Sequence, residues 1–250
     1  MCIRDRTRTL DTADFIHGKD GLGDIGLDLK GRIPNKGDAR DHLIQALKSH
    51  KGELELVCLG PLTNLGLIEQ KEPGILSLAK RIYVMGGLIT LPGNVTPMSE
   101  YNIWADPEAA QVVLQTQAKF TMIGWDSTCA SSAFSIEEVE GFKDIGTDIA
   151  RFSADIQKVR IKWMQEHKEE TAVNLADPMA MAVALDPTLV DKRSFYSMTV
   201  RAGDHEDPYR GYIDATPIED ASAVEFIHTI DRKRYIQLLK CSMTEQGIVI

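Results

Sequence analysis

Apolar residues recur with two different spacings along the chain. Short continuous apolar runs predict buried strands at residues 54–59, 81–85 and 119–124. Helical spacing of apolar residues predicts helices at residues 38–48, 147–167, 179–185 and 231–240. Alternating apolar and polar residues predict later strands at residues 194–201, 209–213 and 224–230. Strands that alternate with helices favour an α/β fold: a mainly parallel, doubly wound sheet flanked by helices, with the later strands open to antiparallel pairing.

A loop rich in polar side chains follows the predicted strand at residues 81–85. It begins at paired glycines and runs to a helix start at Asp106, where an aspartate cap precedes a proline. The loop carries Asn94, Glu100 and Asn102, whose donors and acceptors suit a ligand with several hydroxyl groups. Open α/β sheets bind ligands in loops at the carboxyl ends of their strands. A polar connector without function is an equal alternative on composition alone.

Composition narrows the class of protein. The chain has 250 residues, of which 43% are hydrophobic and 26% are charged, so we expect a soluble protein with one domain over residues 1–250. A net charge of −9 argues against binding of nucleic acid through phosphate contacts. The four cysteines lie far apart, which signals neither a zinc site nor a disulfide scaffold. We find no signal peptide or membrane-spanning apolar run, and we expect a cytoplasmic protein without a membrane partner.

Several motifs occur together in a characteristic order. They are the polar loop itself at residues 84–107, the segment GPLTN at 60–64, the pair Asp177-Pro178 and the glycine-rich segment HGKDGLG at 17–23. Over residues 13–239 this order resembles the inosine-uridine preferring nucleoside hydrolases. The resemblance implies that the protein hydrolyses the N-glycosidic bond of ribonucleosides in nucleoside salvage. It also implies a bound calcium ion and a homodimer or homotetramer.

The resemblance assigns roles to individual residues. Asp177 would bind calcium through its carboxylate, and Thr63 would bind it through its backbone carbonyl. The residues implied to bind the substrate are Met85, which lines the pocket, and Asn94, Glu100 and Asn102, which hold the ribose. Helix capping is the structural alternative for both Thr63 and Asp177, because each lies at a predicted helix start.

The family pattern is incomplete near the amino terminus. Residues 1–6 show no strand periodicity and resemble translated adapter sequence. The family's aspartate cluster, D-x-D-x-x-x-D-D, supplies further calcium ligands and the general base, and nothing in residues 1–12 matches it. We therefore expect that the native amino terminus, with the first strand region, is missing from this chain. On this expectation, the chain by itself binds calcium poorly and is nearly inactive.

A second difference from the family pattern concerns the group that assists release of the base. Ala176 stands where many family members carry a proton-donating histidine. The resemblance makes His17 the candidate for this leaving-group role, whereas the residues alone favour a role as an anchor for its own loop. Aromatic stacking on Trp104, Trp125 or Trp163 is another source of help, with ordinary packing as the alternative. A ribose- or nucleoside-binding protein without catalysis is the alternative function.

Overall fold

The computed structural model describes residues 12–28, 30–33, 36–167, 172–204 and 206–245. The helices are α1 (Asp14–His17), α2 (Ala39–Ser49), α3 (Thr63–Lys71), α4 (Tyr101–Ala105), α5 (Pro107–Leu114), α6 (Trp125–Ser131), α7 (Ile136–Glu140), α8 (Asp148–Asp155), α9 (Lys158–His167), α10 (Ala176–Leu185) and α11 (Arg232–Ser242). The strands are β1 (Glu55–Cys58), β2 (Arg81–Met85), β3 (Phe120–Ile123), β4 (Ala133–Phe134), β5 (Val173–Asn174), β6 (Val190–Val200), β7 (Ile213–Pro217) and β8 (Val224–Ile230). None of the helices in these ranges has both the length and the apolar character needed to cross a membrane.

Six of these strands form one mixed sheet in the order β1-β2-β3-β8-β6-β7. Strands β1, β2, β3 and β8 run parallel, whereas β6 pairs antiparallel with both β8 and β7. Strands β2 and β3 are almost fully buried, as is typical of parallel strands covered on both faces. The predicted α/β fold with a mainly parallel sheet and antiparallel later strands is confirmed.

Helices cover both faces of the sheet, and each face has its own apolar core. Helices α2, α3 and α5 pack on the first face, and helices α8 to α11 pack on the second. Successive residues of β2 enter opposite cores, because side chains alternate along a strand. Ile82 and Val84 lie in the first core, whereas Tyr83 and Met85 lie in the second.

The helix predicted at residues 147–167 is wrong, because the segment forms two helices, α8 and α9. At the break, the Gln157 N–H bonds a carbonyl three residues earlier instead of four. Gly23 packs against the break so closely that an added Cβ would lie 2.5 Å from the Ile156 carbonyl oxygen. The interruption therefore coincides with the place where the glycine-rich loop after α1 contacts this segment.

The helix predicted at residues 179–185 begins earlier, at Ala176. Pro178 is compatible with this earlier start because the first N–H groups of a helix have no acceptor within it. Asp177 therefore lies inside the first turn of α10 and not before the helix.

The strand predicted at residues 209–213 is also wrong, because β7 begins only at Ile213. The preceding segment forms turns closed by backbone bonds from Arg210 to Asp207 and from Tyr212 to Tyr209. In this turn some side chains are exposed and others are buried, so apolar and polar residue types alternate although the backbone is not extended.

The carboxyl ends of β1, β2 and β3 meet at one edge of the sheet. The loop after β1 leads into α3, the loop after β2 leads into α4 and α5, and the loop after β3 leads into α6. Helix α10 contacts β1 and β2 from the second face. This edge is where open α/β sheets bind their ligands, and it gathers segments that are far apart in the sequence.

Close packing of α3 against α5 can be tested at Gly66, where an added Cβ would lie 2.8 Å from the Ala109 Cβ. Gly66→Ala is expected to lower the free energy of unfolding by about 1–3 kcal/mol through overpacking, measured by urea denaturation. Gly141→Ala is the control, because no atom lies within 4 Å of an added Cβ there. Equal stabilities of the two variants would contradict the described contact.

Candidate active site

Glu100 is the most deeply buried carboxylate of the predicted site, with 2% of its surface exposed. It is the N-cap residue of α4, and its Oε2 accepts hydrogen bonds from Asn102 N at 2.9 Å and Ile103 N at 3.3 Å. The same oxygen accepts a bond from Gly87 N at 3.0 Å. Burial raises the pKa of Glu100 to about 7, although these hydrogen bonds partly oppose the shift. Glu100 thus joins the end of β2 to the start of α4.

Asn102 lies in the first turn of α4 and is buried. Its Nδ2 donates to the Met85 carbonyl oxygen at 3.0 Å and contacts the Met85 sulfur at 3.2 Å. Met85 is the last residue of β2 and is itself buried. Glu100, Asn102 and Met85 therefore form one cluster at the carboxyl end of β2, as the resemblance implies.

Asn94 lies farther out on the same loop and is exposed. Its Oδ1 accepts a hydrogen bond from Tyr101 N at 2.9 Å, which holds it beside Glu100. The start of the loop is fixed by Asp126, which accepts bonds of 2.8 Å from the backbone N–H groups of residues 89–91. The loop is therefore anchored at both ends by side chain to backbone bonds.

The three polar side chains share one arrangement. In each, the hydrogen bonds found within the described residues use a single atom, namely Oε2 of Glu100, Nδ2 of Asn102 and Oδ1 of Asn94. The second polar atom of each side chain thus retains its capacity to bind a ligand. Side chains fixed by one atom and open at the other are preorganised for recognition of hydroxyl groups.

Thr63 is the buried first residue of α3. Its hydroxyl donates to the Asp106 carboxylate, so the alternative that Thr63 caps α3 is wrong. Asp106 also accepts a bond from Ala109 N at 3.1 Å and caps α5, as predicted. Because Asp106 directly follows α4, this pair links α3 to the helix that carries Asn102.

Asp177 is open to solvent, yet the protein around its carboxyl group raises the pKa to about 6 by desolvation. Leu175 is the N-cap residue of α10, so the alternative that Asp177 caps this helix is wrong. The charge of Asp177 contributes to the raised pKa of Glu100. The two carboxyl groups therefore lie near each other although they come from distant segments.

The chemistry of these groups suits a hard cation. Calcium prefers carboxylate and carbonyl oxygens, and the predicted ligands, Asp177 and the Thr63 carbonyl, provide both types. A cation beside Asp177 would also relieve its repulsion with Glu100. In the part of the chain that the structure describes, no three His, Cys, Asp or Glu side chains come together as a metal-binding group.

His17 is the last residue of α1 and precedes the glycine-rich loop. Burial lowers the pKa of its imidazole, and the nearby Arg160 guanidinium lowers it further. Arg160 also donates from Nη1 to the Asn174 carbonyl oxygen at 3.0 Å, shortly before α10 begins. His17 therefore lies on the side of the site where the amino-terminal end of α10 is found.

The three tryptophans predicted as stacking partners have different surroundings. Trp104 is buried under the Arg210 guanidinium, whose central carbon lies 4.1 Å from the ring centroid. Trp163 packs against α1 and within α9. Trp125 begins α6, and its backbone N–H donates to the Gly87 carbonyl oxygen at 2.7 Å. Among the three, Trp125 is thus bonded to the same glycine as Glu100.

Two contributors to this geometry, Asp126 and Arg210, are missing from the sequence-based predictions. Asp126 follows a predicted strand almost directly, and this position is the one local signal for it. Arg210 contacts Ala105, which lies 105 residues earlier in the chain. No local pattern could have indicated that contact.

The chain belongs to the inosine-uridine preferring nucleoside hydrolase family, whose model matches residues 3–237. The structure of the plant nucleoside hydrolase PpNRh1 is similar, with a TM-score of 0.84 and 28% identity over 94% of this chain and 76% of that one. A purine-preferring ribonucleoside hydrolase from Gardnerella vaginalis gives a TM-score of 0.81 and 30% identity over 94% of this chain and 74% of that one. The resemblance based on motifs is confirmed.

Among curated proteins, uridine nucleosidase 1 from Arabidopsis thaliana is 32% identical over 177 residues. The match covers 71% of this chain and 52% of that protein, so the chain spans about half the length of this relative. Relatives named for uridine and for purine preference both occur, and family membership alone therefore leaves the preferred base open.

Glu100 is expected to make the metal-free protein less stable as the pH rises. Its pKa is raised from 4.5 to about 7 in the folded protein. Between these pH values the folded state binds more protons than the unfolded state, so the free energy of unfolding falls with increasing pH. Glu100→Gln should flatten this slope, measured by urea unfolding in EDTA from about pH 4.5 to about pH 7.5.

Asp177 remains in that variant and leaves a weaker slope of the same sign, because its pKa is also raised. Glu219→Gln, which removes an exposed carboxyl group, is the control and should retain the full slope. An unchanged slope in Glu100→Gln would show that Glu100 does not titrate as a buried group.

Proposed function

We propose that the protein hydrolyses the N-glycosidic bond of ribonucleosides and releases the free base and ribose in nucleoside salvage. The main support is the preorganised set of Glu100, Asn102 and Asn94, each fixed by one polar atom and open at the other. The nearby Asp177 adds a second carboxyl group to the same edge of the sheet. These groups meet in a chain of the nucleoside hydrolase family.

The ribose is the part of the substrate that these residues would hold. Glu100 Oε1 and Asn102 Oδ1 accept hydrogen bonds from ribose hydroxyls, and Asn94 Nδ2 donates one. Met85 forms the wall of the pocket below the sugar. Hydrolysis passes through a transition state with oxocarbenium character, so hydrogen bonds to the sugar that strengthen as charge develops would accelerate the reaction.

The proposed metal ligands are the Asp177 carboxylate and the Thr63 carbonyl. Calcium takes about six to eight oxygen ligands, so the ribose hydroxyls, water and groups outside the described residues would complete its shell. Bound calcium would orient the ribose and lower the pKa of a water molecule for attack. The hydrogen bond from Thr63 to Asp106 would fix the position of the metal ligand Thr63 relative to α4, which would bind the ribose.

Departure of the base would depend on His17. Its lowered pKa makes the neutral imidazole the main form at neutral pH, and a neutral imidazole donates through one ring nitrogen. We propose that His17 donates a hydrogen bond to the departing base, while Ala176 leaves room beside it. Arg160 would keep His17 in its neutral form.

A ribose- or nucleoside-binding protein without catalysis is the second candidate function. Ala176 favours it, because alanine cannot transfer a proton at the position where the resemblance implies an acid. The test is release of reducing sugar from uridine and inosine, with calcium or with EDTA, by this chain and by the longest protein that its gene encodes. Cleavage that EDTA abolishes would support the hydrolase. Nucleoside binding without cleavage by either protein would support the second candidate.

We further propose a cytoplasmic homodimer or homotetramer, as the resemblance implies. Light scattering coupled to size-exclusion chromatography measures the assembly directly. A monomer at working concentration would contradict this part of the proposal.

In the longest protein that the gene encodes, Asp177→Asn is expected to weaken calcium binding and to lower kcat/KM for uridine and inosine by more than about 100-fold, because a ligand carboxylate is lost. Calorimetric titration with calcium gives a readout that does not depend on activity. Asp191→Asn is the control, because Asp191 is an exposed residue of β6. Equal calcium affinities of the two variants would exclude Asp177 as a ligand.

In the same longest protein, His17→Ala is expected to lower kcat/KM for natural nucleosides by about 100-fold, because the base departs without a donor. The loss should be much smaller for 4-nitrophenyl riboside, whose leaving group departs as a stable anion. His50→Ala, which alters an exposed residue after α2, is the control for both substrates. Equal losses on the two substrates would contradict a leaving-group role for His17.

A further inference from the structure

The loop between β6 and β7 contacts α4 through one buried arginine. Arg210 is 1% exposed, and its guanidinium lies over the Trp104 ring at 4.1 Å. Its Nη2 also donates to the Ala105 carbonyl oxygen at 3.4 Å. Ala105 is the last residue of α4, and the carbonyls at the end of a helix have no partner within it. The arginine therefore binds the carboxyl-terminal end of α4.

The backbone around Arg210 follows α4 equally closely. The Ser99 hydroxyl, just before α4, donates to the Arg210 carbonyl oxygen. Gly211 has a positive φ of 75°, and a Cβ there would lie 2.6 Å from the Trp104 Cα. No other residue type fits this approach without displacement of α4. The loop thus contacts α4 at both of its ends.

These contacts matter because α4 has only five residues. A helix of one turn is not stable by itself, so its position depends on tertiary contacts. Its N-cap is Glu100, its first turn carries Asn102, and Asp106 follows it and bonds Thr63. Any shift of α4 would move the proposed ribose ligands relative to the proposed metal ligand.

We propose that Arg210 is a positioning residue that holds α4 in place for ribose recognition and thereby sets the preference for ribose over 2′-deoxyribose. This inference rests on the proposed function of Glu100 and Asn102. Arg210 acts through α4, because its guanidinium contacts Trp104 and Ala105. Loss of the guanidinium would leave the buried Ala105 carbonyl without this donor and remove the group packed on the Trp104 ring, so the position of α4 should respond to substitution of Arg210.

The same loop offers a matched control. Arg201 also lies over an aromatic ring, that of Tyr209 at 5.0 Å, and its guanidinium pairs with Asp207 at 3.0 Å. Its side chain is 56% exposed, in contrast to that of Arg210. Arg201→Met therefore removes the same kind of contact from the same loop while the bonds from Arg210 to α4 remain.

The experiment compares Arg210→Met, Arg210→Lys, Ser99→Ala and Arg201→Met in the longest protein that the gene encodes, and this protein without substitutions is the parent. For Arg210→Met we expect KM for uridine to rise about tenfold with kcat within about threefold of the parent, because ground-state ribose binding is lost. The ratio of kcat/KM for uridine to that for 2′-deoxyuridine should fall about tenfold. Arg210→Lys retains a cation over the ring and should recover part of this ratio. Ser99→Ala should lower the ratio less than Arg210→Met does. Arg201→Met should leave the ratio unchanged.

Hydrogen exchange provides a second readout that needs no activity. The amides of Asn102 and Ile103 bond Glu100, so they should exchange faster in Arg210→Met and Ser99→Ala than in Arg201→Met. If the parent protein does not cleave nucleosides, the proposed function fails, and exchange still decides whether Arg210 positions α4. If Arg210→Met fails to fold, Arg210→Lys and Ser99→Ala test whether Arg210 positions α4. Unchanged exchange and an unchanged ribose preference in those variants would overturn the proposal.

Discussion

Burial of the Glu100 carboxylate is the constraint on which the rest of the site depends. A buried carboxylate is costly unless its oxygens are bonded, and three backbone N–H groups from two segments meet this need at Oε2. The end of β2 and the start of α4 therefore cannot move apart without exposing or breaking these bonds. Burial raises the pKa of Glu100 to about 7, so its charged and neutral forms are in balance near neutral pH. A hydroxyl donor at Oε1, or a cation beside Asp177, would shift that balance towards the carboxylate.

Support for α4 comes from two sides of the fold. On one side, Asp106 bonds Thr63 and so joins α4 to the helix after β1. On the other side, Arg210 brings the antiparallel part of the sheet against the far end of α4. The parallel strands thus form the edge of the sheet at which the proposed ligand-binding residues lie. The loop between the antiparallel strands β6 and β7 holds α4 in place at this edge. This division of roles explains how a loop rich in polar residues can have a defined geometry.

Local sequence patterns made several elements of the fold predictable. The strand at residues 81–85 has the predicted bounds, because a continuous apolar run leaves little choice of period. The strand at residues 224–230, predicted from alternating residue types, also has the predicted bounds. The cap at Asp106 also follows from residue type alone. The break between α8 and α9 was not predictable, since it coincides with packing against Gly23, far away in the sequence. The placement of Glu100 and Asp177 in one site required the motif order, because neither periodicity nor composition relates residues so distant.

The most direct measurement is a crystal structure of the protein grown with ribose and calcium. We expect ribose hydroxyls bonded to Glu100 Oε1 and Asn102 Oδ1, with the ion on the Asp177 carboxylate and the Thr63 carbonyl. Ribose bound away from the carboxyl end of β2, or bound there without contact to Glu100 and Asn102, would contradict the proposed site.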